Sequence, residues 1–211
     1  MDKQSKEAKE QVKKLPLKKK LEHFWDYYKV HTLAVVIAVI SIVTTAVQCA
    51  RRIDYDLEVS AYTCYGLLEE DIALLTDVIR DQIYDINGNA SVDIRILQNF
   101  TNIKDEGQLG ETGQIVLQKL NAQLTVNECP GYIMDESYKD LILEGFPDGV
   151  KSAVKISEIP ELKEKLSLVE GSSLYWVTMV EYETAKGNEK LQKKYKLVEK
   201  IEDYFNSFNV K

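Results

Sequence analysis

The sequence predicts an α/β protein: an N-terminal transmembrane helix followed by one three-layer α/β domain with a mostly parallel sheet. Three observations predict it. Thr32–Ala50 is a stretch of 19 residues without a formal charge. From Asp56 to Gly145, strand-like and helix-like runs alternate at the spacing of crossover units. A long amphipathic run then closes the chain, with Leu191, Tyr195, Val198, Ile201, Phe205 and Phe208 on one stripe.

The apolar stretch lies within "VHTLAVVIAVISIVTTAVQCARR", Val30–Arg52. At helical rise its uncharged part covers about 28 Å, close to a bilayer's hydrocarbon thickness. Ser41, Thr44 and Thr45 interrupt it, and hydroxyls can bond back to their own helix carbonyls. No polar face recurs with a helical period, as a half-exposed surface helix would show.

The flanks set an expected orientation. Lys13, Lys14, Lys18, Lys19, Lys20 and Lys29 precede the stretch; only Arg51 and Arg52 follow it before acidic residues begin. That asymmetry predicts a cytoplasmic N-terminus and an extracytoplasmic C-terminal part. Trp25, Tyr27 and Tyr28 stand where amphipathic rings anchor at headgroups, so Lys18–Lys20 and these three rings are the expected membrane anchor. Leu17, Leu21, Phe24, Trp25 and Tyr28 share a helical face after Pro16, which predicts a helix lying at the interface before the chain turns in. The apolar segment is too long and starts too late for a cleaved signal peptide. Gln48 stands where a lipoprotein signal before Cys49 needs a small residue. The expectation is an uncleaved signal anchor: a basic tail over 1–31, a span over 32–50 and an outer domain over 53–211.

Charge supports the division. Residues 1–31 carry nine lysines against five acids, whereas residues 32–211 carry a net −11. The basic tail suits anionic inner-leaflet lipid. The acidic outer part repels nucleic-acid backbones, and no nucleic-acid partner is expected.

In the outer domain, "DLEVSAYTC" (Asp56–Cys64) reads as a strand and "EEDIALLTDVIRDQIYDI" (Glu69–Ile86) as a helix with an acidic first turn. "SVDIRIL" (Ser91–Leu97) alternates as a strand, and "QIVLQKLNAQL" (Gln114–Leu124) reads as a helix. "GYIMD" (Gly131–Asp135) is a short buried strand, and Glu136–Gly145 a helix closed by glycine. Lys151–Ile156 adds an edge strand, Pro160–Leu166 a short helix and "SLYWVTMVEY" (Ser173–Tyr182) a late strand. Cys64 then ends one strand and Cys129 precedes a parallel one, at opposite ends of the sheet and too far apart to bridge.

Candidate chemistry is sparse. His23 and His31 both precede the apolar stretch, so the outer domain lacks the commonest general base and metal ligand. No Ser-His-Asp set, CxxC or HExxH occurs. No catalytic residue, metal ligand or cofactor is assigned. "GQLGETG" places Gly107, Gly110 and Gly113 before a helix, where backbone amides can face an anion, although a connector explains them too. Asp135, Glu136 and Ser137 stand at the C-terminal end of a predicted central strand, where open α/β sheets place ligands; a helix cap explains them equally well.

"KKKLEHFWDYYKVHTLAVVIAV" (Lys18–Val39), with its FWxYYK-H segment before the span, resembles the start of uncharacterised single-pass membrane proteins of clostridial-type Gram-positive bacteria. "ECPGYIMDESYKDLILEG" (Glu128–Gly145) is similar to a strand-helix unit of periplasmic solute-binding lobes. The resemblance implies an outer domain like one such lobe. The expected function is a non-enzymatic interaction or binding module on the membrane. The alternatives are a single-lobe solute-binding or sensor protein working with a transporter, and an envelope hydrolase using carboxylates. The expected partners are the lipid bilayer and a membrane or envelope protein, with room for a small-molecule ligand.

Overall fold

The computed structural model describes residues 16–50, 53–103, 110–126, 129–181, 185 and 187–208, with the side chains of 17–24, 26–27 and 49–50 left aside. The chain forms two compact units, Met1–Ile53 and Asp54–Lys211.

The first unit holds one helix, α1 (Leu17–Ala50), 34 residues without a break. The expected interfacial segment and the apolar stretch are therefore continuous, with no turn between them. Within it, Tyr28–Gln48 is long and apolar enough to cross a membrane, and none of it is buried. Thr44 and Thr45 donate their hydroxyls to the Ser41 carbonyl at 2.9 and 2.8 Å, which removes their cost in an apolar medium.

The second unit is an α/β domain built in the order β1 (Leu57–Thr63), α2 (Glu69–Arg80), β2 (Ile94–Phe100), α3 (Glu111–Val126), β3 (Gly131–Asp135) and α4 (Glu136–Gly145). There follow β4 (Val150–Lys155), a short α5 (Pro160–Lys163), β5 (Leu174–Met179) and α6 (Glu189–Asn206). The strands form one sheet in the order β2-β1-β3-β5-β4.

The sheet is mixed, and the expected mostly parallel sheet is corrected. β1 runs parallel to β2 and β3, but β5 runs antiparallel to both β3 and β4. An apolar run such as Leu174–Met179 reads the same in either direction, so its pattern carries no sense of travel. β4 and β5 are consecutive neighbours, and antiparallel neighbours need no helix across a face.

Alternation along the strands separates two cores. Leu57, Val59, Ala61, Ile133 and Trp176 face Leu75 and Ile79 of α2, Leu162 of α5, and Val198, Ile201 and Phe205 of α6. Tyr62, Tyr132, Met134, Val177 and Met179 face Leu120 and Leu124 of α3, and Tyr138 and Ile142 of α4. Helices therefore cover both faces, which gives three layers. Each buried Val, Leu, Ile, Phe or Met among them contributes about 1.5–3 kcal/mol through the water it leaves.

Two boundaries move. α2 stops at Arg80 rather than Ile86, because Asp56 draws the following segment away. The buried Asp56 carboxylate accepts the amides of Ile86 at 2.8 Å, Asn87 at 3.0 Å and Asp93 at 2.9 Å. β2 runs over Ile94–Phe100 rather than Ser91–Leu97, since Ile94 registers with Leu57 and Phe100 with Thr63.

Candidate functional site

The two ends of the sheet differ. At the C-terminal ends of β1 and β3 lie Asp135, Glu136 and Ser137. Asp135 is buried and caps α4: one oxygen accepts the Tyr138 amide at 3.1 Å and the other the Cys64 amide at 2.5 Å. Asp71, on the first turn of α2, is buried in the same way. Its carboxylate accepts the amides of Ser167 at 2.8 Å and Leu68 at 3.3 Å. Asp71 and Asp135 line one small cavity of about 30 Å³, with Thr63, Gly66 and Ser167 on its walls. That is room for a water, not for an organic substrate. Each carboxylate oxygen in it already holds a backbone N–H.

The other predicted members are scattered. Glu136 is exposed and Ser137 half-buried. Ser137 lies against the Cys64 thiol, which burial pushes up despite the opposing contacts from the Ile103 backbone and the Ser137 hydroxyl. A thiol held protonated is a poor nucleophile. Gly107 lies outside the described residues. Gly110 is exposed ahead of α3, and its carbonyl accepts the Gln114 amide at 3.2 Å. Gly113 is buried inside the first turn of α3. The hydrogen bonds of Asp135 run to Cys64 and Tyr138, not to these glycines. Among the anchor residues, Trp25 and Tyr28 are exposed, while the side chains of Lys18, Lys19, Lys20 and Tyr27 lie outside the described residues.

The large cavity sits at the opposite end, beside the start of β1 and the residues entering β3. Its volume is about 470 Å³. Glu58 and Ser60 of β1, Lys119, Gln123 and Val126 of α3, and Lys194 of α6 form much of its wall, joined by Cys129, Asn188, Lys190, Ala122 and Leu191. The local sequence explains the placement. Alternation along β1 puts Glu58 and Ser60 on the face of Tyr62, toward α3. One helical turn separates Lys119 from Gln123, and another Lys190 from Lys194.

Hydrogen bonds hold the wall. Tyr62 donates its hydroxyl to Gln123 Oε1 at 2.8 Å, and Gln123 Nε2 donates to Ser60 Oγ at 3.1 Å. Lys119 Nζ donates to Asn99 Oδ1 at 2.7 Å. Lys190 pairs with Asp54 at 2.5 Å. Asn188 caps α6 by accepting the Leu191 amide at 3.1 Å. The Cys129 thiol donates to the Gly131 carbonyl at 3.1 Å, and burial pushes it up. The wall thus offers ammonium groups and amide donors beside the apolar side chains of Ala122, Val126 and Leu191. Among the described residues, no group of three or more His, Cys, Asp or Glu side chains could hold a metal.

No family model, curated protein or solved structure matches this chain. The cavity rests on its own geometry. Sequence reasoning missed it because it joins β1, α3 and α6, bringing together residues as distant in sequence as Glu58 and Lys194. The readable traces were the Lys119–Gln123 and Lys190–Lys194 spacings, each one helical turn.

Proposed function

We propose that this chain is a single-pass, membrane-anchored binding module, with a cytoplasmic N-terminus and the α/β unit outside, that acts by holding a partner rather than by catalysis. The observation that carries the reading is α1. Its Tyr28–Gln48 segment is apolar and exposed along its length, and lysines crowd its N-terminal side. Exposing that much apolar surface to water is unfavourable, whereas lipid accepts it, and the lysines resist crossing. Two features favour binding over catalysis. The unit from Asp54 onward has no histidine. Its buried carboxylates Asp71 and Asp135 are committed to backbone amides, which counts against a hydrolase that uses them.

The test is membrane fractionation with protease treatment of intact cells producing the full chain. The chain should sediment with membranes and resist extraction by carbonate, and external protease should degrade the part after Asp54. A chain recovered in the soluble fraction, or protected until the membrane is opened, would sink the reading.

A second reading is favoured by the cavity bounded by β1, α3 and α6: a single lobe that captures a solute, in the manner of solute-binding proteins that serve transporters. Its volume of about 470 Å³ falls within the range of small-molecule pockets.

A further inference from the structure

We infer that the cavity between β1, α3 and the start of α6 binds a small organic anion, a carboxylate or phosphate ester carrying a short apolar body. The inference rests on the solute-capturing reading above and names its ligand class.

Charge partition is the first argument. Between Asp54 and Lys211 there are 16 basic and 29 acidic residues. Three of the basic residues line the cavity, Lys119, Lys190 and Lys194, against one acid, Glu58. In an acidic unit, this wall is reversed in sign. A concave wall with low-dielectric surroundings focuses such a field and draws in anions.

The state of each charge is the second. Glu58 faces Arg95 at 3.8 Å, which offsets its repulsion of an anion. Lys190 is neutralised by Asp54. Lys119 uses one ammonium proton on Asn99, and an ammonium has three. Lys194 has no carboxylate within ion-pair distance among the described residues. Lys119 and Lys194 are therefore the groups able to receive a ligand's charge. The start of α6 adds the positive end of an 18-residue helix on the same wall.

The remaining wall defines the rest of the ligand. Ala122, Val126 and Leu191 offer apolar contact, and Ser60, Gln123 and Asn188 offer hydrogen-bonding groups. An inorganic ion alone would leave the apolar part uncovered. This cavity lies away from the strand ends that carry Asp135, so the ligand site differs from the one the sequence pointed to.

The experiment is calorimetric titration of the full chain in phosphatidylcholine nanodiscs with adipate, glycerol 3-phosphate and neutral adipamide. At least one anion should bind with unit stoichiometry, more weakly as salt rises, and adipamide should not. Lys119→Gln and Lys194→Gln should each weaken the bound anion about tenfold, the scale of one charge-assisted contact; Lys194→Gln should do so without changing the melting temperature, whereas Lys119→Gln also gives up the bond to Asn99. Failure of both anions to saturate, equal binding of adipamide, or affinity unmoved by both substitutions would overturn the inference. Fractionation of the same cells separates the two claims: a membrane-bound chain that binds neither anion refutes the ligand alone, and a soluble chain that binds refutes the anchor alone.

Discussion

The Asp71 carboxylate accepts the Ser167 amide at 2.8 Å, linking the first turn of α2 to the segment between α5 and β5, 96 residues away. The same carboxylate takes the Leu68 amide. Asp71→Ala strands two donors, and we expect a loss of about 2 kcal/mol or more in unfolding free energy. Asp71→Asn keeps one acceptor oxygen and should lose less. Urea unfolding of both variants checks this; equal stability of Asp71→Ala and the parent would show that water replaces the carboxylate.

Gly131 opens β3 under the indole of Trp176. A Cβ there would stand 2.9 Å from Trp176 Cζ2 and 3.2 Å from both methyl carbons of Val198. Gly131→Ala should therefore cost about 1–3 kcal/mol, the penalty of overpacking. Gly145, the last residue of α4, has nothing within 4 Å of the same position and a φ that any residue adopts. Gly145→Ala should gain about 0.4–1 kcal/mol by restricting the unfolded chain. Thermal unfolding of the pair should shift in opposite directions.

The Tyr132 hydroxyl is buried with no nitrogen or oxygen partner in the described structure, and lies beside the Cys129 thiol, a weak partner. Tyr132→Phe should therefore be neutral or stabilising by up to about 1 kcal/mol. Alkaline pH tests the same burial. Burial, with Cys129 beside it, raises the Tyr132 phenol far above its ordinary value, and burial likewise raises Tyr62 and Tyr138. Tyr204, half-buried and bonded to Glu161, is pushed up to about 12. Unfolded phenols release protons near pH 10 while the folded ones keep them, so stability is full below pH 10 and falls as pH rises above it. Unfolding followed by tyrosinate absorbance should show this fall, and Tyr132→Phe should flatten it.

Cys64 follows the end of β1 and Cys129 precedes the start of β3, and Ser60 registers with Tyr132. The two cysteines therefore lie about seven residues apart along parallel strands, about 23 Å. A disulfide needs Cα atoms within about 7 Å. Both thiols should be recovered free after oxidative refolding, and both should react slowly with thiol reagents at neutral pH while folded. A disulfide mapped between Cys64 and Cys129 would contradict the strand register.

Much of this fold was legible locally. Gly131–Asp135 and Glu136–Gly145 stand where the sequence put them, because Asp135 ends the apolar run and caps the helix that follows by accepting the Tyr138 amide. The end of α2 was not legible: its periodicity continues to Ile86, and a carboxylate 30 residues earlier stops it. The predicted site fared similarly. Asp135 stands at the strand end as expected, yet its oxygens serve the backbone.

By itself, the sequence determined the long apolar helix, the charge asymmetry around it and the alternation of strands and helices. Those properties depend on neighbours a few residues apart, and solvent acts on them directly. Only the tertiary structure decided the direction of β5, the commitment of Asp71 and Asp135, and the assembly of Lys119, Lys190 and Lys194 around one cavity. Each of these depends on which distant segments share a sheet edge or a face, and packing sets that.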